Sequence, residues 1–202
     1  MIGIVDYGVG NLYSLGSSLS ALSLEHTVSG DCDVLSACDR IILPGVGAFA
    51  DASKKLNEAG LDKFLLQQAA DGKPLMGICL GMQLLFDVSY EFGTYKGLGL
   101  ISGSVCPLLG DLPGGLKVPH MGWNSLNIMR DDSLLKYVKQ GEYMYFVHSF
   151  YAKDCDADVI ATTHYGIPVT AVVRRGNVMG AQFHPEKSGA AGLAILKAFS
   201  EI

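Results

Sequence analysis

The segment Pro74-Leu75-Met76-Gly77-Ile78-Cys79-Leu80-Gly81-Met82-Gln83-Leu84-Leu85-Phe86 constrains this chain more than any other. A short apolar run ends in a cysteine held between Gly77 and Gly81, and a helical pattern begins at once. Strand, sharp turn and helix in that order make a nucleophile elbow, with cysteine where G-x-S-x-G places serine. A residue on such a turn adopts strained backbone, and the strand and helix around it must approach without side chains between them. The sulfur then stands at a helix N-terminus, where free N–H groups favour a thiolate. An isolated cysteine is more often a buried core residue. The paired glycines, and a second segment far downstream, favour the nucleophile.

That second segment is Gly180-Ala181-Gln182-Phe183-His184-Pro185-Glu186-Lys187, after the strand-like run Asn177-Val178-Met179. In extended backbone His184 and Glu186 lean to the same side, and Pro185 biases His184 away from helix. A thiol needs a base, and the base needs an acceptor that fixes its tautomer. A His-Pro-Glu alone reads as a strand-end surface histidine; joined to an elbow cysteine it gives a candidate triad of Cys79, His184 and Glu186. A third segment, Arg40-Ile41-Ile42-Leu43-Pro44-Gly45-Val46-Gly47, is a strand running into a glycine turn. Such a loop can offer the N–H groups of Val46 and Gly47 to an oxyanion, together with that of Leu80. It can equally be a plain strand-to-helix turn or a phosphate cradle.

Apolar strands alternate with helical stretches through the first half: Ile2 to Val5, a helix from Asn11 to Leu22, Arg40 to Leu43, helical pattern from Phe49 to Ala70, then Leu75 to Ile78. Alternation of this kind predicts a parallel sheet with helices on both faces. The β-rich runs Tyr143 to Val147, Val159 to Thr163, Val169 to Val173 and Val178 to Phe183 add antiparallel strands. The expected fold is therefore α/β: a three-layer open mixed sheet, mostly parallel, with antiparallel strands in the C-terminal half and helices on both faces. Phe92 to Lys117 reads as loop with at most a short strand, and a last helix opens at Lys187 or Ser188. A single domain spanning residues 1–202 is expected.

With 49% hydrophobic residues, 17% charged and a net charge of −5, the chain lacks the basic cluster of a nucleic-acid binder. No apolar run reaches the ~20 residues of a membrane span. The five cysteines, Cys32, Cys38, Cys79, Cys106 and Cys155, form no CxxC pair, so neither a metal site nor a disulfide framework is expected. The first residues run into a strand, without a signal-peptide pattern, and a cytoplasmic location is the expectation.

On these motifs the chain resembles the class I glutamine amidotransferases and, within them, the glutaminase subunits of imidazole glycerol phosphate synthase. The narrower likeness rests on Asp6-Tyr7-Gly8-Val9-Gly10-Asn11, Pro44-Gly45-Val46-Gly47 and Pro119-His120-Met121-Gly122-Trp123-Asn124. The resemblance implies Cys79 as nucleophile, His184 as base and acid, and Glu186 as the orienting carboxylate. It also implies a pocket for L-glutamine from Gly47, Gln83, Glu91, His148, Ser149 and Phe150, with Glu91 pairing the α-ammonium. The family pattern carries tyrosine where Phe150 stands, so any bond from that hydroxyl is absent here. No cofactor is implied. The implied partner is a (β/α)₈ cyclase subunit in a heterodimer, docked through Asn11, Met121, Trp123 and Lys187 and receiving the ammonia. Two rival readings are a free-standing hydrolase such as a γ-glutamyl hydrolase, and a silent assembly protein. Neither gives a role to both the Asp6–Asn11 and Met121–Asn124 segments and the triad.

Overall fold

A computed structural model describes residues 1–202. The parallel strands are β1 (Ile2–Val5), β2 (His26–Ser29), β3 (Arg40–Leu43), β4 (Leu75–Ile78) and, from the far end of the chain, β13 (Val178–Ala181). Between them lie β5 (Phe86–Ser89), β6 (Tyr95–Lys96), β7 (Ile101–Pro107), β8 (His120–Ile128), β9 (Tyr143–His148), β10 (Phe150–Lys153), β11 (Val159–Tyr165) and β12 (Ile167–Arg175). The helices are α1 (Leu12–Ala21), α2 (Cys32–Ser36), α3 (Phe49–Glu58), α4 (Leu61–Ala70), α5 (Leu80–Leu84) and α6 (Gly189–Ser200). Nine strands form the main sheet in the order β2-β1-β3-β4-β13-β12-β11-β8-β9, parallel up to β13 and antiparallel beyond it.

The period-two alternation of side chains sorts the core onto two faces. Ile2, Ile4, Ile42, Met76, Ile78, Met179 and Ala181 point to one side, where Leu15 and Leu19 of α1 and Ile195, Leu196 and Phe199 of α6 cover them. Val5, Ile41, Leu43, Leu75 and Val178 point to the other, beneath Leu35 of α2, Phe49 and Leu56 of α3 and Leu65 of α4. Strands buried on both faces read as continuous apolar runs, which is why β1, β3 and β4 stand out in the sequence.

Several features depart from the sequence reading or add to it. The run Val178–Phe183, expected as an antiparallel addition, is β13, which ends at Ala181 and lies parallel to β4 and antiparallel to β12. The polar, partly exposed β2 and the short α2 carry no apolar pattern by which the sequence reveals them. The helical stretch from Phe49 to Ala70 is two helices, broken where Gly60 takes φ 71°. The Phe92–Lys117 stretch, read as mostly loop, carries β6 and the seven-residue β7. These pair in a second sheet, β10-β7-β5-β6, whose glycine-rich sequence hides its pattern. The elbow helix α5 ends after five residues, and Phe86 already belongs to a strand. Finally, Pro119–Asn124 belongs largely to the nine-residue β8, paired with β9 so that His120 lies opposite His148 and Trp123 opposite Tyr145.

Candidate active site

Cys79 follows directly on β4 with φ 55° and ψ −110°, a conformation that L-residues seldom adopt. Its N–H donates to Ala181 O of β13 at 2.7 Å, so the neighbouring strand holds the strained turn. The flanking glycines are required by contact. A Cβ on Gly77 would meet Gly81 O at 2.5 Å, and one on Gly81 would lie 1.9 Å from Leu43 O. A Cβ on Gly45 would meet Gly81 N at 2.7 Å, so the oxyanion-loop candidate packs directly against the elbow.

His184 continues from β13, the strand next to β4. Its backbone is extended (φ −97°, ψ 101°), as Pro185 demands, and its N–H donates to Tyr145 O of β9 at 3.0 Å. Residues Pro185–Lys187 then turn into a 3₁₀ helix rather than remaining extended. The pairing survives by another route: the turn brings Glu186 Oε1 to 2.8 Å from His184 Nδ1, with both side chains buried. A carboxylate there fixes the proton on Nδ1 and leaves Nε2 free for exchange.

Cys79 and His184 line one cavity of about 390 Å³, together with Val46, Gly47, Leu80, Gln83, Glu91, His148, Ser149 and Phe150. Thus the sequence-derived nucleophile, base, loop and pocket residues converge, with Lys187 beside them; Glu186 lies behind His184. Phe92, Pro119 and Val147 complete the lining. A larger cleft of about 640 Å³ between α3, α4 and β6 contains no cysteine or histidine. No group of three or more His, Cys, Asp or Glu side chains is placed to hold a metal ion. No helix is long and apolar enough to cross a membrane.

Burial opposes charge on His184, but hydrogen bonding to Cys79 and Glu186 and attraction to their negative charge prevail, raising its pKa to about 9. The site therefore favours the imidazolium form of His184. The helix that starts after Cys79, α5, is only five residues long. Gln182 Nε2 lies 3.8 Å from Cys79 Sγ, and Val147 O lies 3.9 Å from it.

Glu91 Oε2 accepts from Phe49 N at 2.8 Å, at the start of α3. Burial raises its pKa; that hydrogen bond lowers it, and the nearby Asp51 adds to the rise. With one oxygen committed, the other can still meet a cationic group. The side chain of Gln83, expected simply to face the substrate, is tied down: Nε2 donates to Phe150 O and to Gln182 Oε1, both at 3.0 Å. His148 is buried, with Nδ1 2.9 Å from Phe150 O and Nε2 3.0 Å from His120 Nδ1. Both ring nitrogens are thus occupied within the protein, while the residue lines the cavity as expected.

Tyr7, unassigned from the sequence, donates its hydroxyl to Pro44 O at 2.8 Å and so anchors the glycine loop. Burial, then the nearness of Cys79, hold that phenol above its ordinary range. Phe92, likewise unassigned from the sequence, is 89% exposed at φ 52°, and its ring meets Phe150 edge-on at 5.7 Å. On β8, Met121 and Trp123 are 61% and 55% exposed. Trp123 meets Tyr145 edge-on at 6.1 Å, and Lys187 Nζ lies 6.0 Å from the centre of the same tyrosine ring. Asn11 precedes α1, half-buried, and lines a small cleft with Gly45, His184 and Glu186.

Residues 4–201 match the family model for glutamine amidotransferase class-I. The chain belongs to that family. Among curated relatives, the imidazole glycerol phosphate synthase subunit HisH of Bacillus licheniformis is 51% identical over all of this chain and 96% of its own length. The subunit of the same name from Geobacillus kaustophilus is 52% identical, over 97% of this chain and 94% of its own. That from Listeria monocytogenes is 48% identical over 100% and 96%. A solved glutamine amidotransferase superposes with a TM-score of 0.76 at 19% identity, covering 98% of both chains. The structure of PurLQS from Thermotoga maritima gives 0.75 at 22%, covering 99% of this chain and 97% of that one. At such identities these two likenesses speak for the class I amidotransferase fold alone.

Proposed function

We propose that this protein is the glutaminase subunit of an imidazole glycerol phosphate synthase, hydrolysing L-glutamine to glutamate and passing the ammonia to a cyclase subunit in histidine biosynthesis. The observation that carries the chemistry is the convergence of Cys79, the His184–Glu186 pair and the Pro44–Gly47 loop on one cavity. Full-length relatives near 50% identity support the biosynthetic assignment.

In this reading the Cys79 thiolate attacks the side-chain amide carbon of glutamine, and the carbonyl oxygen becomes an oxyanion facing the N–H groups of Leu80 and the Val46–Gly47 loop. His184 gives its proton to the departing nitrogen, the C–N bond breaks, and a glutamyl thioester remains. His184, now neutral, takes a proton from water; hydroxide adds to the thioester, the C–S bond breaks and glutamate leaves. Glu186 keeps the imidazole in the required tautomer and stabilises its cationic form. Glu91 binds the α-ammonium of glutamine. Ammonia is mostly protonated at neutral pH and then a poor nucleophile, so direct transfer to the partner's site preserves its reactivity.

The exposed Met121 and Trp123 of β8, with Asn11 and with Lys187 at the cavity, form the docking surface for a (β/α)₈ cyclase subunit. Gly47 at φ 91° has open space where a Cβ would stand, so the loop has room to reorient a peptide. Docking with acceptor bound biases that loop toward donation, and one oxyanion donor is worth ~10²–10³ in kcat. The test is glutamate release by the chain alone, with the cyclase subunit, and with the cyclase carrying its ribulosyl ligand. A rise of at least ~100-fold in the last case is expected. An isolated chain that hydrolyses glutamine at the full rate of the liganded complex refutes the coupling, and steady hydrolysis without a partner favours a free-standing hydrolase.

A further inference from the structure

Gln182, the residue that follows β13, is completely buried and lines no part of the cavity. Its backbone N–H donates to Ala171 O of β12 at 2.8 Å, which ties it across the sheet. The catalytic steps above use neither end of its amide. A buried amide is costly unless its ends are satisfied, so the direction in which each end points carries information.

The polarity of that amide follows from its neighbours. Phe150 O can only accept, so the atom of Gln83 that meets it at 3.0 Å is the nitrogen, Nε2. The second hydrogen of the same nitrogen faces Gln182 at 3.0 Å; a donor there requires an acceptor, and Gln182 turns Oε1 toward it. The nitrogen of Gln182 must then point the other way, where the acceptor it meets is Cys79 Sγ at 3.8 Å. Turning the amide over would set N–H against N–H at Gln83 and oxygen against sulfur at Cys79.

On another side Sγ lies 3.9 Å from Val147 O, which can only accept. The two contacts treat the two states of the sulfur differently. As a thiol, Cys79 can give its hydrogen to Val147 O. Once that proton has gone, the carbonyl offers the sulfur nothing, while the Gln182 N–H remains as a donor to the charge. Hydrogen bonds to ionised groups are shorter and about twice as strong as neutral ones. Sulfur is larger than oxygen, and catalytic hydrogen bonds commonly tighten when substrate binds.

We propose that Gln182 is a further catalytic residue, the side-chain donor that holds the sulfur of Cys79 and stabilises its charge when the thiolate attacks and again when it leaves the thioester. The kinetic consequence rests on the glutaminase reading; the contact itself does not. The competing role is that of a buttress, in which Gln182 Oε1 only holds Gln83 in the cavity wall.

Two substitutions of similar length separate these roles. Gln182→Met removes donor and acceptor without adding charge. Gln182→Glu keeps an oxygen for Gln83 Nε2 and removes the amide donor. In complex with the cyclase subunit, both should lower kcat for glutamate release by ~10-fold or more, the value of one hydrogen bond to a charged group. KM should stay within ~3-fold in Gln182→Glu, because Gln83 remains held. A buttress alone predicts wild-type constants in Gln182→Glu and, in Gln182→Met, a raised KM with kcat unchanged. Iodoacetamide reads the sulfur without the pocket, since Sγ displaces iodide directly. A donor worth ~10-fold in thiolate, with about half of that exponent returned as nucleophilicity, makes Cys79 alkylate ~3-fold more slowly in Gln182→Met, followed on its peptide by mass spectrometry. Ammonium-dependent synthesis at the wild-type rate checks the fold of each variant; should Gln182→Met fail it, Gln182→Glu decides by the same two readouts. A kcat within ~3-fold of wild type, or alkylation at the wild-type rate, overturns the proposal. A wild-type complex that releases no glutamate would instead refute the glutaminase reading, while the alkylation rates would still decide this one.

Discussion

Replacing Gly81 by alanine tests whether the elbow and the glycine loop are set by direct backbone contact. A Cβ there would lie 1.9 Å from Leu43 O, 2.8 Å from Leu43 C and 3.2 Å from Pro44 C. All three are backbone atoms at the end of β3, so no side chain can swing aside. Reaching an ordinary contact distance requires a displacement of roughly 1.5 Å between α5 and the β3 terminus. Alanine is the better helix former by ~1 kcal/mol, which opposes the effect, but forced overpacking costs ~1–3 kcal/mol and a clash this short falls at the upper end. A net loss of about 1–2 kcal/mol predicts a Tm lower by about 2–8 °C for a chain of this size. The catalytic effect should be larger, because the displacement separates Cys79 from the Pro44–Gly47 loop. A misplacement of ~1 Å at a reacting centre costs ~10²-fold. The assay is glutamine-dependent synthesis by the complex beside ammonium-dependent synthesis, with Tm measured in parallel. Glutamine-dependent kcat should fall ~100-fold while the ammonium-dependent rate holds. Gly110→Ala, where a Cβ meets nothing within 4 Å, should change neither. If Gly81→Ala retains wild-type Tm and glutamine-dependent rate, the contact argument for this frame is wrong.

Cys79→Ser should abolish glutamine-dependent synthesis and leave the ammonium-dependent reaction intact; loss of both would make Cys79 structural. His184→Asn should lower kcat by ~10²–10⁴-fold, the range for a lost general acid–base, and Glu186→Gln by less; kcat values in the reverse order contradict the roles assigned. The folded chain binds the His184 proton more tightly than the unfolded one, about 9 against 6.5. Stability from this group should therefore be complete below about pH 6.5 and lost as the pH rises through 9; denaturation of wild type and His184→Asn from pH 6 to 10 checks this, and a constant gap between them would refute it. Trp123→Ala should weaken cyclase binding by ~2 kcal/mol if this ring is an interface anchor, readable by calorimetry; unchanged affinity removes it from the docking surface.

The parallel half of the fold was legible because β1, β3 and β4 are buried on both faces and carry no polar interruption. What stayed hidden had a physical reason in each case. Strand β7 contains Gly103, Ser102 and Ser104, and its pairing depends on partners in β5 and β10 rather than on its own pattern. The break between α3 and α4 was signalled by Gly60, yet apolar spacing on either side masked it. Of the candidate site, Cys79, His184 and Glu186 were readable because strained turns and proline-fixed backbone require particular residues at particular places. The interior wiring was not. His120, His148 and Gln182 take their hydrogen-bonding roles from β8, β9 and β13 meeting in space, and no spacing along the chain records that.

The proposed nucleophile follows β4 and the proposed base follows β13, neighbours in the sheet whose paired residues lie about a hundred positions apart in the chain. Their separation is set by a single parallel ladder, Gly77 beside Gly180 and Ile78 beside Ala181, closed by Cys79 N on Ala181 O. Parallel pairing over such a span is among the slowest steps available to a folding chain, since the entropy of closing the loop is lost before the contacts form. Local helices and the β1–β3 neighbourhood can form without bringing Cys79 near a base. On the proposed roles, an unfinished chain on the ribosome carries Cys79 without its base, and the pair is assembled only with the last strand.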